Sequence, residues 1–386
     1  MTRENTEAEL LASRITQLAR KYSDATHAGS ETSEVIRSIS TTCMELNALV
    51  NSPETWVERV ALSYNGSAAI CILLDLDIFR LLLENNGRCT LKEAVAQHIL
   101  DEPSMELYKL NNRSNYLLND NSACWTHYLA DIGLKAAALL PQYVRDNRGQ
   151  IAEDGRRSAF QMAFDTDEHF YQYLRSTDLI RGERFDKGLQ RHARGAAQTS
   201  IEDIFDFTHL KPGSVVVDIG GGRGQHSIRI ARRHPQISFI IQDYDNTLPS
   251  KEEIDDESVY RRLHWQQYDY FTEQPVKGAD IYMLNNILMD NTPGDCRRIL
   301  VNIAEAMNTK ESVLLIDDGI ELVNSQKANS CYGSSMNMHM LAVLGTLFRT
   351  REQWDELFSE IPGRLKVTSS WPVDGGRVIF EVRKLA

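Results

Sequence analysis

The chain is 386 residues long and carries 42 Lys and Arg against 54 Asp and Glu, a formal net charge of −12. No basic surplus exists to neutralise phosphates, which argues against a nucleic-acid or anionic-membrane partner. With 42% hydrophobic and 25% charged residues, the composition is that of an ordinary globular chain, long enough for two domains.

The first residues, MTRENTEAELL, are polar and acidic and do not read as a secretory signal. No apolar run reads as approaching the roughly 20 residues of a membrane span, so a cytoplasmic location is expected. The first half predicts helices. ELLASRITQLARKYSDAT places Leu10, Leu11, Ile15, Leu18 and Ala19 on one face. ALSYNGSAAICILLDLDIFRLLLEN is apolar nearly all round, which predicts a buried helix. CTLKEAVAQHI opens with Thr90 three residues before Glu93, the pattern of a capping box. SACWTHYLADIGLKAAALLPQYV predicts another helix, closed by Pro141 and a polar run to Gly155. The segment 156–200 reads as helical and bridges the two halves.

From about Val215 strand-like runs alternate with helical ones. VVVDIG, SFIIQDY, DIYMLNNIL, SVLLIDDGI and RVIFEVRKL read as strands; QHSIRIARRH, CRRILVNIAEAM and REQWDELFSEI read as helices. Such alternation predicts an α/β fold, a parallel sheet covered on both faces, with its ligand at the carboxyl ends of the strands. The six cysteines, Cys43, Cys71, Cys89, Cys124, Cys296 and Cys331, show no C-x-x-C pair and no nearby His at ligand spacing. No metal site is expected, and most of them read as small buried hydrophobes.

VVVDIGGGRGQHS is the strongest motif. A strand runs into Gly220, Gly221, Gly222 and Gly224, where glycine lets the backbone turn sharply and approach a ligand. The dinucleotide fingerprint G-x-G-x-x-G is not completed, because Gln225 stands at its last position. Asp218 adds a carboxylate at the strand end. Asp243 ends the next strand, where its carboxylate suits two ribose hydroxyls. Asp269 in QQYDYF suits an adenine amino group, with Phe271 or Tyr270 to stack on the ring.

On these motifs the chain resembles the class I S-adenosylmethionine fold, and residues 50–386 resemble the plant- and fungal-type O-methyltransferases. The matching stretches are DIGGGRG, FIIQDYD, EQPVKGADIYMLNNIL, CRRILVNIAEAM and LFRTREQWDELF, with LDLDIFRLL matching the N-terminal winged-helix dimerisation domain. The resemblance implies a helical, winged-helix dimerisation domain over 1–150. A doubly wound, Rossmann-like domain would follow over 151–386, including the bridging helices 156–200. It further implies S-adenosylmethionine as cofactor, held by Asp218, Gly220, Gly222, Gly224, Asp243, Asp269 and Phe271, and an intertwined homodimer.

In that family the turn after the fourth strand usually reads H-D-W, and its His is the general base. Here it reads Met289-Asp290-Asn291, and a thioether takes no proton at any useful pH. A second resemblance is to the fungal pericyclases of 2-pyridone alkaloid biosynthesis, of the leporin type, which bind the cofactor without consuming it. It implies dehydration of a 4-hydroxy-2-pyridone secondary alcohol to a quinone methide, then hetero-Diels–Alder closure, with Alder-ene closure as the alternative. The substrate so implied is a polyketide–nonribosomal-peptide product. His127, Arg191 and Asp290 fall at that group's catalytic positions, whereas Met289 departs from its Arg. Met289, Met336, His339 and Met340 are expected to shape the substrate cavity. The rivals are an O-methyltransferase acting on a phenolic or pyridone hydroxyl and a catalytically dead binding protein.

Overall fold

The computed structural model describes residues 3–30, 32–84, 100–104, 107–194, 199–244, 254–308, 311–319, 330–362, 365–373 and 377–385. The stretch with Thr90 and Glu93 lies outside the described residues. By contacts the chain divides into two compact units, Met1–Leu118 with Asn324–Met336, and Asn119–Val323 with Asn337–Ala386.

The first unit contains α1 (Arg3–His27), α2 (Ser33–Val50), α3 (Pro53–Ala61), α4 (Tyr64–Asp75) and α5 (Ile78–Glu84). A two-stranded antiparallel hairpin, β1 (Leu100–Ser104) and β2 (Leu107–Leu110), and α6 (Asn112–Leu117) follow. Leu73, Ile78, Phe79, Leu82, Leu100, Tyr108 and Leu117 form its core. Two expectations need correcting here. The apolar stretch over α4 and α5 is not buried all round, because Leu62, Tyr64, Ile72, Leu76, Leu81 and Leu83 are exposed. An apolar run of span length also exists: Pro53–Asp75, 23 residues, with little of its most apolar part buried. Its helices break at Leu62 and Ser63, leaving segments of 9 and 12 residues, each shorter than the roughly 20 a span needs.

The second unit opens with α7 (Asp120–Asp146), α8 (Ala159–Phe164), α9 (Phe170–Ser176), α10 (Leu179–Arg194) and the single turn α11 (Ile201–Ile204). Asn119 caps α7 by accepting from the Ser122 N–H. Pro141 does not close α7. The helix runs on to Asp146, because Leu140 and Tyr143 are both buried and hold its last turn on the core. Close packing against α10 needs Gly188, where a Cβ would come within 2.9 Å of the Trp125 backbone.

A seven-stranded sheet follows in the order β5-β4-β3-β6-β7-β9-β8. Its strands are β3 (Val215–Ile219), β4 (Ser238–Asp243), β5 (Leu263–Gln267), β6 (Ile281–Asn285), β7 (Val313–Gly319), β8 (Leu365–Val373) and β9 (Arg377–Lys384). The helices between them are α12 (Gln225–Arg233), α13 (Glu257–Tyr260), α14 (Pro293–Ala306), α15 (Ser330–Leu344) and α16 (Arg351–Ser359). β3 to β7 are parallel, but β9 runs antiparallel between β7 and β8, so the sheet is not all parallel as the alternation suggested. The central strands read as continuous apolar runs because both faces are covered, by one core around Leu284, Ile299 and Phe380 and another around Phe239, Ile241 and Leu315. The chain order reverses between β3 and β6, which places a crevice at the carboxyl ends of those two strands.

Of the described cysteines only Cys296 is buried; Cys43 is exposed and Cys71 and Cys124 are intermediate, so the buried reading fails for most of them. Among the described residues no cluster of His, Cys, Asp and Glu is arranged to hold a metal ion.

Candidate active site

The crevice is lined first by the glycine loop. Gly220, Gly222 and Gly224 all have positive φ, at 68°, 54° and 78°. The Gly220 and Gly221 N–H groups donate to the Gln242 carbonyl at 2.7 and 3.1 Å, which ties the loop to β4. An added Cβ at Gly224 would lie 2.6 Å from Ile241 Cδ1, whereas one at Gly222 would meet no atom within 4 Å. The loop is thus packed on its inner side and open at Gly222, the arrangement a backbone needs to receive a ligand.

Asp218 is buried, accepts from Ser227 Oγ at 2.7 Å and from Asn285 Nδ2 at 3.3 Å, and burial raises its pKa. The other Asn285 side-chain atom, Oδ1, is buried without a partner beside it. Asp243 receives the Gly222 N–H on Oδ2 and the Tyr244 N–H on Oδ1, each at 2.8 Å. Asp269 is exposed and accepts the Phe271 N–H at 2.9 Å; Arg298 lies over the Phe271 ring at 4.7 Å. These groups fit a nucleoside: an acceptor pair for diol hydroxyls, an aromatic face, and a bare backbone between them.

Across the crevice, the one-turn helix Leu288–Asp290 follows β6 and carries Met289 and Asp290. Asp290 keeps a little exposed surface, but its carboxyl is surrounded by protein. Desolvation raises its pKa to about 7, opposed by a hydrogen bond from Tyr171. The Tyr171 hydroxyl on α9 donates to Asp290 Oδ2. Tyr128 on α7 and Tyr270 after β5 feel this charge; burial first, with Asp290 adding to it and Asn291 opposing it at Tyr270, holds both hydroxyls protonated. Asp318 at the end of β7 is buried, and desolvation raises its pKa to about 8 despite the nearby Arg349 cation. Met289 lies on an apolar wall: its Cε would be 3.6 Å from a Cβ placed at Gly319, where the Phe348 ring is closer still.

The remaining sequence-derived candidates fall as follows. His127 is buried on α7 and engaged by Arg184 Nη1, 2.8 Å from Nδ1 and 3.1 Å from Nε2. His339 on α15 bonds the Tyr128 hydroxyl through Nε2 at 2.9 Å, and burial lowers its pKa to about 4, so it is neutral near pH 7. It packs where Gly133 leaves room, since a Cβ there would lie 2.8 Å from its Nδ1. Met340 is buried, Met338 is exposed, and Met336 belongs to the first unit. Arg191 lies on α10, where only the backbone is described.

Three residues near the site were not legible in the sequence. Tyr171 meets Asp290 from 119 positions away, a contact that only the fold creates. His169 lies between Tyr171 and Phe271, with ring centroids 5.9 and 6.1 Å away, and its Nε2 is buried without a partner. Burial lowers its pKa, against the pull of Asp295. Arg349 lay inside a motif read only for its family likeness. Replacing Tyr171 by Phe removes a bond that favours the ionised Asp290. The Asp290 titration is therefore expected to move upward from about 7, read by NMR of carbon-13-labelled aspartate carboxyls.

A doubly wound sheet with a glycine loop after its first strand, an acidic second strand end and an open crevice between them defines a class I S-adenosylmethionine-binding protein. Residues 139–362 match the O-methyltransferase domain family, and the chain belongs to that family. It is 50% identical over 404 residues to the N-methyltransferase nanE of Aspergillus nanangensis, with 100% of both chains covered. Among solved structures, LepI in complex with SAM matches with a TM-score of 0.73 at 22% identity, covering 98% of this chain and 100% of that one. A structure described as a pericyclic reaction enzyme matches with a TM-score of 0.72 at 22% identity, covering 99% and 100%. At that identity the two structures establish a shared fold. The cofactor is S-adenosylmethionine, which the loop geometry fits.

Proposed function

We propose that the protein methylates an amine nitrogen on a small molecule of secondary metabolism, as a homodimer. The observation that carries this is Asp290, bonded by Tyr171 and within electrostatic reach of Tyr128 and Tyr270, next to a thioether at Met289. A hydroxyl acceptor must lose its proton before it attacks, and the residue at the family's base position is a thioether. An amine attacks through a lone pair that a base of modest strength frees from the ammonium form. Likeness to an N-methyltransferase over the whole chain supports the same choice. Bound S-adenosylmethionine supplies an electrophilic methyl group. The chain's own residues do the rest. The Tyr128, Tyr171 and Tyr270 rings offer faces that attract a positively charged nitrogen. Asp290, with its pKa raised to about 7, takes the proton from a weakly basic ammonium, which an ordinary carboxylate near 4 does poorly. Met289 and Phe348 keep water from that face.

A second reading retains the pericyclase chemistry: dehydration of a pyridone alcohol and hetero-Diels–Alder closure, with the cofactor intact. Its supports are the places of His127 and Asp290 and the fold shared with a pericyclic reaction enzyme. Incubation with S-adenosylmethionine and matched amine and pyridone-alcohol substrates separates the two by mass. Methylation adds about 14 mass units and forms S-adenosylhomocysteine; dehydration loses water and leaves the cofactor unchanged. The second result would overturn the first reading.

A further inference from the structure

The turn that carries Asp290 is held from outside by groups on other elements, of which Asp318 also feels the Asp290 charge. Arg349 is 6% exposed, and its guanidinium spans the turn. Nη1 donates to the Leu288 carbonyl at 2.8 Å and Nη2 to the Asn291 carbonyl at 2.7 Å, the two residues that bracket Met289 and Asp290. Nη2 also meets Cys296 Sγ at 3.2 Å, and the guanidinium lies 5.2 Å from the centre of the Trp354 ring. From the other side, Asp318 Oδ2 accepts the Met289 N–H at 3.0 Å, while its Oδ1 takes the Gly319 N–H at 2.8 Å. Thr346 Oγ1 adds a second bond to the Asn291 carbonyl at 3.1 Å.

We infer that Arg349 and Asp318 form a clamp that fixes the turn and so sets the position and enclosure of the Asp290 carboxyl, a positioning role in the reaction proposed above. The chemistry favours Arg over Lys. A planar fork with several donors bridges two carbonyls at once, while an ammonium reaches one and leaves the other to its weaker bonds from Cys296 Sγ and from Thr346 Oγ1 or the Asn291 N–H. A helix of one turn holds its own shape by few bonds, here the Asp290 and Asn291 N–H groups to the Ile287 and Leu288 carbonyls, each at 3.2 Å, and Asn291 Nδ2 to the Ile287 carbonyl at 2.7 Å. Without the clamp the carboxyl is free to turn toward solvent, away from Tyr171, Tyr128 and Tyr270.

The test reads Asp290 directly and needs no turnover. The protein is labelled with carbon-13 at the aspartate carboxyls, and the Asp290 signal is assigned by its loss in Asp290→Asn. It is then titrated by NMR, with S-adenosylmethionine bound, in the wild type and in Arg349→Lys. In the variant the Asp290 titration is expected to move toward the ordinary carboxylate range by a unit or more. Below its melting temperature, kcat should fall at least tenfold per bound cofactor, with KM for S-adenosylmethionine within twofold. If Arg349→Lys does not fold, Arg349→Gln carries the same test: its single amide cannot bridge both carbonyls, and since losing a cation alone would push the Asp290 titration up, a downward shift still reports the turn. An unchanged titration overturns the clamp, whatever the reaction is. A shifted titration in a protein whose wild type methylates no amine supports the clamp and overturns only the proposed reaction.

Discussion

Asp290→Asn is expected to lower turnover by about 10²-fold or more while leaving cofactor affinity unchanged and making the protein more stable above pH 7. The first part follows from the role of a positioned acid–base group, typically worth about 10²–10⁴ in rate. Asparagine keeps the shape and the acceptor for the Tyr171 hydroxyl, but it takes no proton. The second part follows because Asp290 lies on the turn after β6, and the glycine loop keeps its own bonds to Gln242 and Asp243.

The stability effect has a definite sign. The folded-state pKa of Asp290 is raised to about 7, by desolvation first, from an unfolded value near 4. Between those values the folded protein binds a proton that the unfolded chain does not. Stability therefore falls as pH rises through that window, and the cost of the buried charge is complete above it. Asp318, raised to about 8, contributes in the same direction over a slightly wider window. Asn at 290 removes the first of these costs. Melting temperatures at pH 5 and pH 8 check this: the variant should gain on the wild type at pH 8 and gain less at pH 5. A variant that loses stability at pH 8 would mean that the carboxylate is held by a cation and not merely buried.

How far the site could be read beforehand differs residue by residue. The glycine loop was legible because its conformation is a local demand: three positive φ angles between a strand and a helix leave few residue types to choose from. Asp243 was legible for the same reason, as the acid that ends the adjacent strand. β5 and β8 were not read as strands. The first, LHWQQ, buries only Leu263, and the second, on the sheet edge, buries only Leu365 and carries Pro372 next to its end, so neither shows the apolar run of a central strand. The oddity at Met289 was visible in one dimension, but its meaning was not, since Tyr171, Arg349 and Asp318 reach the turn from three other elements. His127 shows the same limit. Its burial was foreseeable from its aromatic neighbours, but its engagement by Arg184, 57 positions away, was not.

Gly220→Ala should have the second largest effect, because it strikes both halves of the site at once. At φ 68° an alanine is strained by about 1–2 kcal/mol. Its Cβ would also stand 2.4 Å from Ile287 Cδ1 and 3.2 Å from Cγ1, so a side chain must move. Overpacking of this kind costs about 1–3 kcal/mol, which brings the whole to roughly 2–5 kcal/mol. Ile287 immediately precedes the turn Leu288–Asp290, so the displaced atom pushes on the residue that introduces Met289 and Asp290. Cofactor affinity by calorimetry and turnover should both fall at least tenfold, with a lower melting temperature. The comparison with Ile287→Ala locates the cause. Ile287→Ala alone opens a small space and costs modestly. In the double variant the clash is gone and only the backbone strain remains, so the two changes should be far from additive. If the double variant is no better than Gly220→Ala, the damage lies in the loop's own backbone, and the contact between loop and turn does not couple cofactor to acid.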